Sequence, residues 1–270
     1  MTLSDNRPSK NLVKRIRSLQ SKKGRLEHGT FLAEGPNVVR EVLRSDLALE
    51  TLLVSESFAG SLEAKPLLGG VRREAPFTLP DREFEKVSPS RSPQGILAEV
   101  WIPNPPTLPE AVEASHPIVI LEEIQDPGNV GTAIRSASAL GAQRVVLTPG
   151  CADLWNPKTV RSSAGASFHA PLHPNRTIEQ ILEWLRSFEA VLWIASAEGE
   201  SIHSLPPPRD PTALVFGNEA RGPAPDWSYF PRARMVGLPM ERGMDSLNVG
   251  VASAIFLALI REKAGQNPVR

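Results

Sequence analysis

The stretch IVILEEIQDPGNVGTAIR, residues 118–135, contains the change of pattern that decides the fold. It opens with the apolar run Ile118–Leu121, which is typical of a strand buried on both faces. Pro127 and Gly128 then indicate a turn, and Asn129 is a suitable N-cap for a helix over residues 129–140. A strand, a turn and a helix in this order predict one unit of a parallel α/β sheet.

The same alternation continues towards the carboxyl terminus. Runs typical of strands follow at residues 144–147, 191–195, 213–216 and 235–238, an amphipathic helix at 177–188 and a last helix at 246–263. This pattern predicts a parallel sheet that helices cover on both faces. Ligands of such sheets bind at the loops beyond the carboxyl ends of the strands, so these loops are the candidate site.

A proline-rich stretch precedes this part of the chain. The stretch from Trp101 to Pro117 contains five prolines, Pro117 included, and proline is excluded from helix interiors and central strands. Residues before it mix helical and strand periods, which predicts a small α/β domain. We therefore expect domains at residues 1–102 and 118–270, joined by a linker at 103–117.

The composition is that of an ordinary globular protein, with 270 residues, 41% hydrophobic content and zero net charge. A signal-peptide pattern and a run of about 18 apolar residues are both missing, which favours a cytoplasmic location and no membrane segment. The single cysteine, Cys151, cannot form an internal disulfide, and the histidines lack metal-ligand spacing, so no metal site is predicted. The sequence also lacks the motifs of P-loop NTPases, dinucleotide oxidoreductases, zinc hydrolases and α/β-hydrolases.

Charge is distributed unevenly at the amino terminus. Between Asn6 and Leu26 there are eight basic residues and no acidic one. Such a cluster can hold phosphates even in a neutral protein. A solvated terminal helix explains the pattern equally well.

Three loops after predicted strands carry unusual residues. The first is the stretch 126–135, in which small residues let a ligand approach the start of a helix. The second, Gly-Asn-Glu-x-x-Gly at 217–222, indicates a tight backbone bend with a carboxylate inside it. The third runs from Leu238 into the last helix, with Asp245 or Ser246 as its cap and Asn248 in its first turn.

Taken together and in this order, the loops resemble the three signature motifs of the SpoU family of RNA ribose 2′-O-methyltransferases, over about residues 118–260. The stretch 31–41 resembles the start of the substrate-binding domain of rRNA-directed members. The resemblance implies an α/β fold with two parts, a small RNA-binding domain followed by a parallel-sheet methyltransferase domain with a trefoil knot. It also implies a homodimer, in which the last helix and the first-motif helix form the interface.

By the same resemblance, the protein uses S-adenosyl-methionine to methylate a ribose 2′-hydroxyl in structured RNA, with large-subunit rRNA as the expected substrate. A tRNA ribose methyltransferase shares all three motifs and remains an alternative. A non-catalytic RNA-binding protein on the same fold is disfavoured, because Asn129 and Arg135 are both present.

The resemblance also assigns residues to roles. The family's functional positions fall on Asn129, Arg135, Glu219, Ser246 and Asn248. The cofactor is expected against Gly217, Asn218, Leu238, Met240 and Leu247. RNA contacts are expected from Arg161, which the resemblance implies, and from Lys14, Arg15, Lys22, Lys23 and Arg25 in the basic segment.

Two of these positions raise chemical questions. A guanidinium is a poor base, so we expect Arg135 to grip a phosphate and stabilise the forming alkoxide instead of removing the proton. Glu219 is expected to fix either Arg135 or Asn129. Gly250 departs from the family pattern, because many members carry serine there.

Overall fold

A computed structural model describes residues 6–69, 75–114, 116–241 and 246–265. The described helices are α1 Lys10–Ser18, α2 Lys22–His28, α3 Pro36–Arg44, α4 Glu56–Ala59, α5 Ala64–Leu68, α6 Asp81–Val87, α7 Pro127–Ala139, α8 Pro157–Ser163, α9 Ile178–Arg186 and α10 Val249–Lys263. The described strands are β1 Thr30–Glu34, β2 Leu49–Ser55, β3 Phe77–Leu79, β4 Ile96–Trp101, β5 Ile118–Leu121, β6 Arg144–Leu147, β7 Leu172–His173, β8 Val191–Ser201, β9 Thr212–Phe216 and β10 Ala233–Gly237. Within these residues, no helix is both long and apolar enough to cross a membrane.

The chain divides into two compact units. The first unit comprises Met1–Asn104 with Asp153–His169, and the second comprises Pro105–Ala152 with Ala170–Arg270. The predicted boundaries differ from this division at Asp153–His169, which we had expected in the second domain. Aromatic packing explains the difference, because the Phe31 ring lies 4.5 Å from that of Trp155.

The proline-rich stretch packs on the second unit. It forms no helix or strand in its described part, but Leu108 and Val112 contact the core that covers one face of the sheet. Two of its carbonyls also accept hydrogen bonds. That of Pro109 accepts one from Trp184 Nε1 at 2.8 Å, and that of Pro106 accepts one from His173 Nδ1 at 3.1 Å. The stretch therefore has a fixed path from about residue 105 onwards.

The first unit contains a four-stranded mixed sheet in the order β1-β4-β2-β3. Strands β1 and β2 both pair antiparallel with β4, and β3 pairs parallel with β2. Helix α3 covers one face through Val38, Val39 and Val42, while α1 and α6 cover the other through Ile16 and Phe84. A helix and sheet core of its own makes this unit an α/β domain, as predicted.

The second unit contains the predicted parallel sheet, with six strands in the order β10-β8-β9-β5-β6-β7. Strand β5 lies in the interior of the sheet, and all four of its residues are buried, as its apolar run predicted. Because β10, β8, β9 and β5 are consecutive neighbours, the loops at their carboxyl ends lie side by side. The sheet order thus brings the three predicted motif loops together.

Strands β8 and β10 approach unusually closely. Their register shifts, so that Met235 pairs with Ile194 while the next residue, Val236, pairs with Glu200. A Cβ atom added to Gly199 would lie 2.5 Å from the Val236 nitrogen, and one on Gly237 would lie 2.9 Å from the Ser196 oxygen. A side chain at either position would collide with the neighbouring backbone, so both positions require glycine.

One buried arginine supports the first unit. The Arg25 side chain is 2% exposed and donates to Asp153 Oδ2 from Nε at 3.0 Å and from Nη2 at 2.6 Å. Its Nη1 donates to the carbonyl oxygens of Leu19 at 2.8 Å and Gln20 at 3.1 Å. The predicted role of Arg25 in binding RNA is therefore wrong, because its guanidinium is buried and hydrogen-bonded to Asp153, Leu19 and Gln20.

Replacing Arg25 with alanine is expected to lower the free energy of unfolding by about 3 kcal/mol, because it leaves the Asp153 carboxylate without its partner. The matched control is Lys22→Ala on the same helix, whose side chain is exposed and whose loss should change stability by less than about 0.5 kcal/mol. Urea denaturation of the full chain measures both. Equal stability of the two variants would show that the buried ion pair does not hold the unit together.

Candidate active site

A cavity of about 530 Å³ opens beside the middle of β8 and at the carboxyl ends of β9 and β10 in the second unit. Its volume falls in the range of about 300–1,000 Å³ that is usual for small-molecule sites. It is lined by residues 129, 195–197, 216–219, 222–223, 238, 240, 246–249, 252 and 256. All five predicted cofactor residues line it, and so do four of the five predicted catalytic residues, namely Asn129, Glu219, Ser246 and Asn248.

Three of these side chains form one chain of hydrogen bonds. Asn248 Oδ1 accepts from the backbone nitrogens of Gly250 at 2.9 Å and Val251 at 3.3 Å. Asn248 Nδ2 then donates to Asn129 Oδ1 at 2.8 Å, and Asn129 Nδ2 donates to Glu219 Oε1 at 3.0 Å. Because an amide has one donor end and one acceptor end, the backbone of α10 fixes the direction of the whole chain.

The helix caps differ from those predicted. Asp126 caps α7, accepting from the nitrogens of Gly128 at 2.7 Å and Asn129 at 3.0 Å, so the expected cap Asn129 lies inside the first turn. Asn248 caps α10, so the expected Ser246 is not the cap, and Asp245 lies outside the described residues. Because Asp126 caps α7, the Asn129 side chain is free to bond elsewhere. The Asn248 side chain caps α10 with its oxygen and donates a hydrogen bond within the site from its nitrogen.

The loop after β9 folds tightly back on itself. A Cβ atom on Gly217 would lie 2.2 Å from the Pro223 nitrogen. Asn218 Oδ1 accepts from the backbone nitrogens of Ala220 at 3.0 Å and Arg221 at 3.2 Å, and Asn218 Nδ2 donates to the Glu123 carbonyl at 3.0 Å. The predicted bend at 217–222 is present, and it carries Glu219 at the mouth of the cavity.

A buried glutamate holds the far end of this loop. Glu122, which directly follows β5, is 5% exposed. Its carboxylate accepts from the Ala224 nitrogen at 3.0 Å and from Trp227 Nε1 at 2.8 Å, and Trp227 is completely buried. The neighbouring Glu123 forms an exposed ion pair with Arg221. Sequence reasoning missed Glu122, although a carboxylate directly after a buried strand was a visible signal.

Helix α10 packs closely against α7 at Gly250. A Cβ atom there would lie 2.9 Å from both Cβ and Cγ2 of Thr132. The glycine that departs from the family pattern therefore fits a close helix contact within this chain. That contact sets the distance between Asn248 and Asn129.

Arg135 lies apart from the cavity. It is exposed on α7, it is not among the lining residues, and the described residues offer it no hydrogen-bond or ion-pair partner. Arg135 lies six residues after Asn129 on α7. This spacing corresponds to a rise of roughly 9 Å along the helix axis and a difference in direction of about 120° around it. Glu219 therefore fixes Asn129 and not Arg135.

Cys151 contributes no nucleophile. Burial raises the pKa of its thiol to about 11, and its Sγ lies 3.2 Å from the Leu121 carbonyl oxygen. Among the described residues, no cluster of histidine, cysteine and carboxylate side chains could hold a metal ion. Residues 195–197 in the middle of β8 do line the cavity, and sequence reasoning missed them because Ala-Ser-Ala carries no signal for a site.

The predicted RNA contacts lie in the first unit and differ in accessibility. Lys14, Lys22 and Lys23 are exposed and have no hydrogen-bond or ion-pair partner in the described chain. Arg15 is half-buried and pairs with the buried Glu99 at 2.7 Å. Arg161 on α8 is exposed and donates to Ser90 Oγ at 2.8 Å.

Comparisons with known proteins agree with this geometry. The SpoU rRNA Methylase family matches residues 116–258, more than half of the chain. The chain belongs to the SpoU family. An MRM3-like substrate binding domain also matches residues 10–98 of this SpoU protein.

Individual relatives match nearly the full length. The 23S rRNA (guanosine(2553)-2′-O)-methyltransferase RlmP of Bacillus subtilis is 30% identical over 92% of this chain and 95% of its own. A putative RNA methyltransferase of the TrmH family from Porphyromonas gingivalis has a TM-score of 0.78 and 29% identity, over 95% of this chain and 99% of its own. An AdoMet-bound rRNA methyltransferase from Sinorhizobium meliloti has a TM-score of 0.79 and 25% identity, over 94% and 95%.

Replacing Glu122 with glutamine tests whether this glutamate shapes the cavity. The amide keeps one acceptor but turns a donor towards the Ala224 nitrogen or the Trp227 indole, so the loop that carries Glu219 should shift. We expect affinity for S-adenosyl-methionine, the cofactor that the sequence resemblance implies, to fall about ten-fold, which corresponds to 1.4 kcal/mol. Calorimetry on the folded variant measures this.

The matched control is Glu123→Gln, which removes an exposed charge from the adjacent position. It should alter that affinity by less than about two-fold, because exposed ion pairs contribute little. Equal effects of the two substitutions would contradict a special role for the buried carboxylate.

Proposed function

We propose that this SpoU protein transfers a methyl group from S-adenosyl-methionine to a ribose 2′-hydroxyl of large-subunit ribosomal RNA. The observation that carries the proposal is the chain Asn248–Asn129–Glu219, which places an oriented amide and a carboxylate at the mouth of a cofactor-sized cavity. The named relatives support rRNA over tRNA. RlmP acts on guanosine 2553, and a relative from Streptomyces viridochromogenes acts on uridine 2479, so the family leaves the nucleotide open.

The cavity walls suit a ligand that forms hydrogen bonds mainly with backbone groups of the protein. Small residues at 195–197 and the glycines Gly217 and Gly222 leave carbonyl and amide groups accessible, while Phe216 and Phe256 supply apolar surface. Leu238, Met240 and Leu247 continue the apolar wall, and Asn218 anchors the adjoining bend. S-adenosyl-methionine, when bound, supplies a methyl group that its sulfonium has already activated.

The protein's own task is then to position the 2′-oxygen and help remove its proton. Asn129 and Glu219 each retain capacity for a further hydrogen bond, and Glu219 Oε2 has no partner in the described chain. In our proposal Asn129 orients the 2′-hydroxyl and Glu219 keeps the Asn129 amide in one orientation. The oxygen–methyl bond forms as the sulfur–methyl bond breaks, and the hydroxyl proton passes to water. Ser246 and Asn248 hold the third loop. Positioning of this kind can lower a barrier by about 7 kcal/mol.

Arg135 is proposed to act on the RNA backbone. Its exposed position on α7, outside the cavity, suits a grip on the phosphate beside the target ribose. A guanidinium holds phosphate through a planar pair of hydrogen bonds, which lysine cannot reproduce. Arg135 therefore stabilises the forming alkoxide electrostatically and does not remove the proton.

A homodimer forms part of the proposal. Val251 and Ile255 are 46% and 37% exposed, and their spacing of four residues places them on one side of α10. An exposed apolar stripe of this kind favours an interface between two copies. The cytoplasmic location expected from the sequence also belongs to the proposal.

The knot implied by the family is likewise proposed. The close passage of β8 and β10, with glycines at 199 and 237, is the part of the fold that supports it. The same passage carries residues 195–197 to the wall of the cavity.

RNA is proposed to bind first to the basic helices of the first unit. Lys10, Lys14 and Arg17 recur at intervals of four and three residues, so they share one side of α1, and all three are exposed. Lys22 and Lys23 add two exposed charges at the start of α2. Lys14, Lys22, Lys23 and Arg161 remain candidates from the sequence. Lys10 and Arg17 join them in place of Arg15 and Arg25, whose side chains form ion pairs with Glu99 and Asp153.

Methyl transfer to RNA tests the proposed function directly. Purified protein, labelled S-adenosyl-methionine and rRNA from cells that lack the gene should give label on a 2′-oxygen of large-subunit rRNA. Arg135→Ala should reduce turnover by about 100-fold or more while cofactor affinity stays within about three-fold, and Arg135→Lys should restore little of the activity.

Label on tRNA instead would favour the tRNA alternative. Cofactor binding without any transfer to either RNA would favour a non-catalytic RNA-binding protein. Near-normal turnover by Arg135→Ala would remove Arg135 from the mechanism.

A further inference from the structure

Trp101 exposes its indole on the surface of the first unit. It is the last residue of β4, and its side chain is 45% exposed. Other large aromatic side chains of this unit, such as Phe31 and Phe84, are buried. Tryptophan is enriched at interfaces because its ring offers a large apolar surface together with a polar N–H group.

The indole is held by a hydrogen bond at its nitrogen. Its Nε1 donates to Glu50 Oε2 at 2.9 Å, and Glu50 Oε1 lies 3.5 Å from Nη2 of Arg15. Arg15 also pairs at 2.7 Å with Glu99, which is completely buried. The exposed ring is thus connected to the core through charged hydrogen bonds, and binding a ligand would cost it little conformational entropy.

The ring lies beside the end of α2. A Cβ atom added to Gly29, the C-cap of α2, would lie 3.5 Å from Trp101 Cζ3. Leu26, one turn earlier on α2, is 73% exposed. The open area of the indole therefore adjoins the basic helix pair and does not lie in an isolated position.

Both helices that support the ring carry unpaired positive charge. Arg15 of α1 forms an ion pair with Glu50, which accepts the hydrogen bond from Trp101. The C-cap of α2, Gly29, lies beside the ring. Their exposed cations without a partner in the described chain are Lys10, Lys14, Arg17, Lys22 and Lys23. Beside the indole, Glu50 shares the guanidinium of Arg15 with Glu99.

We propose that Trp101 is a stacking platform for an unpaired base of the RNA substrate, with the flanking phosphates held by the cations of α1 and α2. The chemistry is that of single-strand recognition, in which an aromatic ring stacks on a base and neighbouring cations follow the backbone. This inference rests on the proposed function only in taking RNA as the ligand. It adds that the recognised element is unpaired.

The test compares a single-stranded 12-nucleotide RNA with a 12-base-pair RNA duplex, each titrated against the full-length protein. Trp101→Leu should weaken single-strand binding about ten-fold, Trp101→Phe should keep most of the affinity, and duplex binding should change by less than about two-fold. Single-stranded RNA should also quench tryptophan fluorescence in the wild type, and Trp101→Phe should remove that change. Tyr229→Leu, an exposed aromatic of the second unit, is the matched control and should bind as the wild type does.

Several results would overturn the inference. These are unchanged single-strand affinity of Trp101→Leu, equal losses for both RNAs, or absence of single-strand binding by the wild type. A change in the oligomeric state of Trp101→Leu in sedimentation would show instead that a second copy covers the ring. Cofactor affinity and rRNA methylation are measured separately, so the proposed function can stand when this inference fails, and the reverse also holds.

Discussion

The hydrogen bond from Asn248 to Asn129 is the contact on which the candidate site depends. It joins the N-cap of α10 to the first turn of α7, two helices that begin 122 residues apart in the chain. Its direction is fixed because the Asn248 oxygen already caps α10. Gly250 keeps the two helices close enough for the bond to form. Glu219 is then held by an amide whose orientation the backbone has determined.

The parallel sheet makes this contact possible. Strand order places the ends of β10, β8, β9 and β5 next to one another, so residues from distant parts of the sequence line one cavity. Glu122 adds a buried connection from the end of β5 to the segment after the β9 loop. The sheet therefore forms the floor of the cavity, and the hydrogen-bond chain Asn248–Asn129–Glu219 shapes its mouth. Neither feature would suffice alone to place Glu219.

Sequence patterns predicted the regular elements well where burial decides them. The apolar run Ile118–Leu121 is a strand with those bounds, because a strand buried on both faces needs an apolar residue at every position. The caps were predicted less well. Asp126 and Asn129 can both cap a helix, and only the fold shows that Asp126 does so while Asn129 turns into the site. Such choices between two capable residues depend on tertiary contacts.

Other features carried no local signal. Arg25 has the sequence character of a surface cation, and its burial depends on Asp153, which is 128 residues away. The segment Asp153–His169 was assigned to the second domain because neighbours in sequence usually share a domain, whereas its aromatic residues pack on the first. Residues 195–197 enter the cavity only through the passage of β8 beside β10.

The most direct measurement is methyl-transfer turnover of Asn248→Asp, compared with its thermal stability. Aspartate still caps α10 with an oxygen but cannot donate to Asn129, so it separates the structural role of Asn248 from its role in the site. Our account predicts a melting temperature at or above that of the wild type and turnover reduced about 100-fold. Turnover within about three-fold of the wild type would contradict the claim that this hydrogen-bond chain sets the active geometry.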